Sequence, residues 1–146
     1  MSNVLRNGSV VDLPVSQTTL EQKKNEAAHR INGIKRKRQA STLSVDVGGS
    51  TYTWTCNEVE VSRMANIISA VDSSLITAPA YWRTHDDQNV TITLAQFKTL
   101  ASTLYTYLMG LGSRAHALKD TDIPAAADQA ALDAIVTAYE TYDPLA

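Results

Sequence analysis

The 146 residues carry 13 Lys or Arg against 15 Asp or Glu, a formal net charge of -2, so no global field draws the chain to nucleic acid or an anionic membrane. One cysteine, Cys56, excludes an intramolecular disulfide and a cysteine-rich zinc site. No apolar run approaches the roughly 20 residues that span a bilayer, the start lacks a signal-peptide core, and the length suits one domain with a single core. A cytoplasmic product without membrane insertion is expected.

Residues 1–16 contain Gly8, Pro14 and scattered apolar residues without sustained period, which reads as a flexible N-terminal arm; Val4, Leu5, Val10, Val11 and Leu13 are its candidate partner-docking residues. The remainder, 17–146, is expected to form a single α+β domain. A helix over 18–38 begins at Thr18, with Glu21 three residues on as a capping box; Leu20, Ala27, Ile31 and Ile34 share its apolar stripe, and Gly33 weakens it. Residues 43–56 alternate as Leu43, Val45, Val47 and Tyr52, Trp54, Cys56 around Gly48-Gly49, the pattern of a tight hairpin. Asn57, with Glu60, caps a helix over 58–76 that presents Val61, Met64, Ala65, Ile68, Val71 and Leu75 as its buried face.

The stretch YWRTHDDQNVTIT, 81–93, has strand composition at its ends and turn-forming side chains between, so a second hairpin is predicted. Thr93 with Gln96 then starts a helix over 94–119. Leu94, Phe97, Ala101, Leu104, Leu108, Leu111, Ala115 and Leu118 recur at spacings of 3 and 4, an unbroken heptad seam. Gly110 and Gly112 imply a bend or a close backbone approach. Asp122 and Pro124 fit the start of a last helix over 123–142. The resulting class is α+β and mostly helical: about four helices and two short hairpins, in the order helix-hairpin-helix-hairpin-helix-helix.

Catalytic, cofactor and metal sites find no support in these residues. His29, His85 and His116 fall in three different elements with no metal-ligand spacing. Asp86 and Asp87 are explained by the turn, Cys56 by burial, and Gly48-Gly49 lacks the lysine of a phosphate loop. An enzyme is therefore not expected. Two binding features remain. Lys23, Lys24, Arg30, Lys35, Arg36, Lys37 and Arg38 make one helix basic and could meet an anionic partner; solvation, or pairing with the acidic segment after residue 119, is the commoner use of such a run. The seam, through Phe97, Ala101, Leu104, Leu108, Leu111 and Ala115, could face its own core or join copies about a symmetry axis. The apolar flanks Leu100, Tyr105, Tyr107 and Met109 favour a homo-oligomer with helices packed round that axis.

The succession EAAHRINGIKRKRQAS, STYTWTC, YWRTHDDQNVTITLAQFKTLASTL and AHALKDTDI resembles a short domain of unknown function found in tailed-phage tail and tail-fibre proteins. It runs from about Glu21 to Asp122, with its clearest marks at Trp82-Arg83-Thr84, Asp87, Asn89, Val90, Ile92, Leu94 and Ala117-Leu118-Lys119. The spacing of the Asp87-Gln88-Asn89 turn and the Asp122–Pro124 segment depart from the pattern. The resemblance implies a virion component of the tail, assembled in the host cytoplasm, that docks to other tail proteins at a fibre or its attachment site, where symmetric oligomers, often trimers, are usual. It assigns no catalytic residue. The alternative carried by the residues themselves is a small nucleic-acid-binding protein using the basic helix 23–38.

Overall fold

The computed structural model describes residues 2–6 and 9–13 as backbone and residues 19–146 in full. Ser2–Arg6 (β1) and Ser9–Leu13 (β2) pair antiparallel, with Val4 opposite Val11 and Leu5 opposite Val10. The sequence reading placed a flexible arm here; the paired backbone is a ribbon that scattered apolar residues did not announce.

Helix α1 (Leu20–Gln39) is capped one residue later than expected, at Thr19. The Thr19 hydroxyl accepts from the Gln22 amide at 3.2 Å, and the Gln22 side-chain oxygen accepts from the Thr19 amide at 2.9 Å. Adjacent threonines followed by Glu-Gln offer the same capping pattern in two registers, and an uncharged glutamine serves as well as a glutamate. The helix runs through Gly33 without a break and ends on Arg36, Lys37 and Arg38, cations that complement its C-terminal dipole. Strands β3 (Ala40–Val47) and β4 (Ser50–Asn57) follow as a hairpin with Leu43 opposite Trp54. Gly48 and Gly49 turn it with φ of 62° and 88°, the left-handed conformation a two-residue turn of this kind demands.

Asn57 caps α2 (Glu58–Asp72), its side-chain oxygen accepting from the Glu60 amide at 2.8 Å. The helix stops at Asp72, short of the expected residue 76. Ser74 takes a left-handed φ of 59°, its amide reaches the Val71 carbonyl at 3.0 Å, and the Leu75 amide reaches the Ala70 carbonyl at 2.9 Å. This paired closure satisfies orphan carbonyls and reverses the chain. Leu75, expected on the buried face, is thereby turned outward and stands 76% exposed.

The second predicted hairpin is β5 (Tyr81–Arg83) with β6 (Asn89–Thr91). The capping box of Thr93 and Gln96 opens α3 (Leu94–Ala117). The chain then widens into a π turn over Leu118–Asp122, where the Ile123 amide bonds the Leu118 carbonyl, and passes into the single turn α4 (Ile123–Ala125). Asp122 therefore caps nothing: it lies inside continuous helix, and Pro124 sits in a first turn where its missing N–H is tolerated. The last helix, α5 (Gln129–Glu140), starts at Asp128, whose carboxylate accepts from the Ala131 amide at 2.9 Å. Expecting that helix from residue 123 overlooked Asp128 as the true cap.

Helix α3 is the axis of the core, which its seam shares with α1, α2, α5 and the β3–β4 hairpin. The fold is α+β and mostly helical. Gly110 allows a close approach: a Cβ there would stand 2.5 Å from Pro144 Cβ, whereas at Gly112 the nearest neighbour would be the Gln39 side chain at 3.6 Å.

Candidate functional site

The residues that first suggest chemistry are held by local structure. In the β5–β6 turn the Thr84 amide donates to the Gln88 carbonyl at 2.9 Å, the Thr84 hydroxyl donates to the Asp86 carboxylate, and Asp87 adopts a left-handed φ of 65°. His85 docks the turn on β4, its amide donating to the Thr53 carbonyl at 2.9 Å and its Nδ1 lying 3.1 Å from the Thr55 hydroxyl. His29 and His116 are exposed on α1 and α3. Cys56 is fully buried, and burial pushes its thiol up to about 11, away from thiolate chemistry. Among the described residues, no three His, Cys, Asp or Glu side chains cluster as a metal would need, and no helix is long and apolar enough to cross a membrane.

The heptad seam requires a correction. Phe97, Leu104, Leu111 and Ala115 are at most 1% exposed, and Ala101 and Leu108 no more than 8%. The chain's own elements cover them, as does Leu100 and Tyr107 on the flank. Buried within one chain, these residues are core and offer no open surface through which copies could self-associate by this seam. A period of 3.5 residues reports that a stripe needs cover, not which molecule supplies it.

The basic helix divides in two. Arg38 is half-buried: it donates to the Tyr139 carbonyl at 2.9 Å and the Tyr107 hydroxyl at 3.2 Å, with its guanidinium 5.7 Å from the Tyr107 ring centre. Arg30 pairs with Asp133 at 3.5 Å, and the Lys24 ammonium donates to the Pro124 carbonyl at 2.6 Å. Those three cations bind the acidic C-terminal segment within the chain. Lys23, Lys35, Arg36 and Lys37 make no ion pair among the described residues. The docking candidates Val4, Leu5, Val10, Val11 and Leu13 lie on β1 and β2, and their side chains fall outside the described residues.

What the structure leaves open is α2. Of the six residues predicted to be buried on it, Val61 and Met64 are; Ala65 and Leu75 are exposed, and Ile68 and Val71 half-covered. On its outer side Val59 is 79% exposed, and with Ile67, Ala70 and Ile76 it lines one open surface. On its inner side a groove made of two hollows that share Val61 and Tyr105 lies between α2 and α3. It runs from Arg36 and Glu58 at one end, past Val61 and Tyr105, to Asp72 and Lys98 at the other. Tyr105 and Met109, 54% and 51% exposed, stand on its α3 wall. Sequence reading noted both as apolar flanks but missed Val59, an isolated valine between two glutamates that no periodicity marks.

The family model for the domain of unknown function DUF4376 matches residues 22–137, and the chain belongs to that family. No curated protein and no solved structure matches the chain.

Proposed function

We propose that this DUF4376 chain is a non-catalytic structural or adaptor component of a tailed-phage tail, at a fibre or its attachment site, working by burying surface against neighbouring virion proteins. The observation that carries the reading is the outer surface of α2 and the loop from it to the start of β5, where Val59, Leu75, Ile76 and Tyr81 remain exposed although the same chain buries Leu104, Leu108, Leu111 and Leu118 of the seam. Apolar area left uncovered beside so complete a core is the mark of a surface kept for a partner. The β1–β2 ribbon precedes the family-matched segment. A two-stranded ribbon is marginal alone in water and presents strand edges to which another protein's strand can add, which supports its role as the docking segment. The resemblance drawn from the sequence supplies the tail.

The test is incorporation. Tagged protein lacking residues 1–18, and separately the Val59→Asp Leu75→Asp variant, should keep the thermal transition of the unaltered chain while losing co-purification with tail particles. Both variants entering particles normally would overturn the reading.

The nucleic-acid alternative now rests on Lys23, Lys35, Arg36 and Lys37, since Lys24, Arg30 and Arg38 have partners within the chain. Contacts from these cations to phosphates would release counterions, so affinity would fall steeply with salt. Lack of DNA or RNA binding at low salt removes it.

A further inference from the structure

The wide turn that ends α3 sets two opposite charges side by side. In an unbroken α-helix Arg114 and Asp122 would stand roughly 80° apart around the axis. The π turn over Leu118–Asp122 takes one extra residue into the coil, and Asp122 comes round to the side of Arg114, where its Oδ2 lies 3.8 Å from Nη2. The two attract without sharing a hydrogen bond, which that distance is too long to form. Both side chains are partly open to solvent, at 42% and 37%, and both line a hollow of about 290 Å3 between the end of α3 and α5. Its apolar part is Leu118 from the π turn with Ala134, Ile135 and Ala138 from α5. Tyr142 completes the lining, its ring centre 5.8 Å from the Arg114 guanidinium carbon.

A hollow at the small end of the range that takes organic ligands admits only a compact molecule, and the two charges restrict which. A simple anion drawn to Arg114 is repelled by Asp122, and a simple cation drawn to Asp122 is repelled by Arg114. A molecule with a carboxylate and an ammonium on one carbon offers each its opposite and brings no net charge. An apolar side chain on that same carbon then covers Leu118, Ile135 and the alanines. We propose that this hollow is a binding site for a free apolar α-amino acid, its carboxylate on Arg114 and its ammonium on Asp122. Burial of the side chain selects leucine-sized members over glycine. The inference stands independently of any role in a phage tail.

The test is a heteronuclear NMR titration of the full chain with L-leucine as the probe. Saturable shifts are expected at Arg114, Asp122, Ile135 and Ala138. N-acetyl-L-leucine and L-leucinamide each keep one charge, and glycine lacks the apolar side chain, so all three should bind at least tenfold more weakly. Arg114→Gln and Asp122→Asn each break a partly exposed pair that contributes little to stability; both should keep the thermal transition of the unaltered chain and lose at least tenfold in leucine affinity. Ala138→Leu, at an exposed position of α5, fills the hollow without touching the charges and should block leucine as well. No saturable shift up to about 10 mM leucine, equal binding of leucine and its two capped forms, shifts centred away from the hollow, or full affinity in the three variants would each overturn the proposal. Titration of the free protein reads nothing of particle incorporation, so failure of either test leaves the other untouched.

Discussion

Helices α2 and α3 begin alike. Each opens with a side-chain cap and carries an apolar stripe at helical spacing, yet α3 buries its stripe from Phe97 to Leu118 while α2 covers only Val61 and Met64. The difference lies in neighbours. α3 runs through the middle of the molecule and meets other elements on several sides; α2 leans on α3 and β4 along one line. A sequence therefore advertises how much cover a helix requires, and the uncovered remainder is where a second molecule is to be sought.

The largest effect should come from forcing a charge into the covered stripe. Leu104→Asp places an unpaired carboxylate in a site 1% exposed, and circular dichroism should show loss of the cooperative transition rather than a folded, dissociated subunit. Phe97→Ala, which also removes the edge-on contact with Trp82 at 4.9 Å between ring centres, should cost about 3–5 kcal/mol in denaturant titration. By contrast, Ala65→Ser on the open stripe should stay within about 0.5 kcal/mol of the unaltered chain, measured as monomer. Equal losses at Phe97 and Ala65 would erase the distinction between the helices.

The same contrast can be sharpened at the glycines. Gly33→Ala meets no atom within 4 Å and should stabilise the protein by about 1 kcal/mol through helix propensity. Gly110→Ala gains the same propensity but drives its methyl into Pro144, so overpacking should make it destabilising. In a Pro144→Gly background the substitution should become stabilising, and thermal melts of the four proteins would read the sign change.

A slower contrast is set by pH. Burial pushes the Cys56 thiol up to about 11 and the Tyr139 hydroxyl up to about 12, with Arg38 pulling Tyr139 the other way and less strongly. Both groups are held neutral in the fold and ionise more readily when unfolded. Their contribution is complete below about pH 9, the ordinary thiol value, and is lost as pH rises through the folded values. Stability measured from pH 8 to pH 11 should fall, and Cys56→Ala should flatten the first part of that fall.

Much of the fold was legible because its signals are local. The Gly48-Gly49 turn, the caps at Asn57 and Thr93, and the seam each need only a few neighbouring residues to be read. The misplacements were competitions between equal local signals: Thr18 against Thr19, Asp122 against Asp128. Leu75 was lost to a left-handed serine that composition does not announce. The candidate surface was the least legible part. Exposure of Val59 and Tyr105 exists only once α1, α2 and α3 are packed, and the seam, the strongest signal in the chain, drew attention to a surface already occupied.

Arg38 joins the end of the first long helix to Tyr139 near the close of the last, 101 residues away. While the chain is still being synthesised, α1 lacks this anchor until α5 has emerged, so the nascent protein leaves Ile31 and its neighbours less protected until then. Ribosome-bound intermediates truncated before residue 129 should accordingly be good chaperone clients, and emergence of α5 should mark the moment at which the domain becomes protease-resistant.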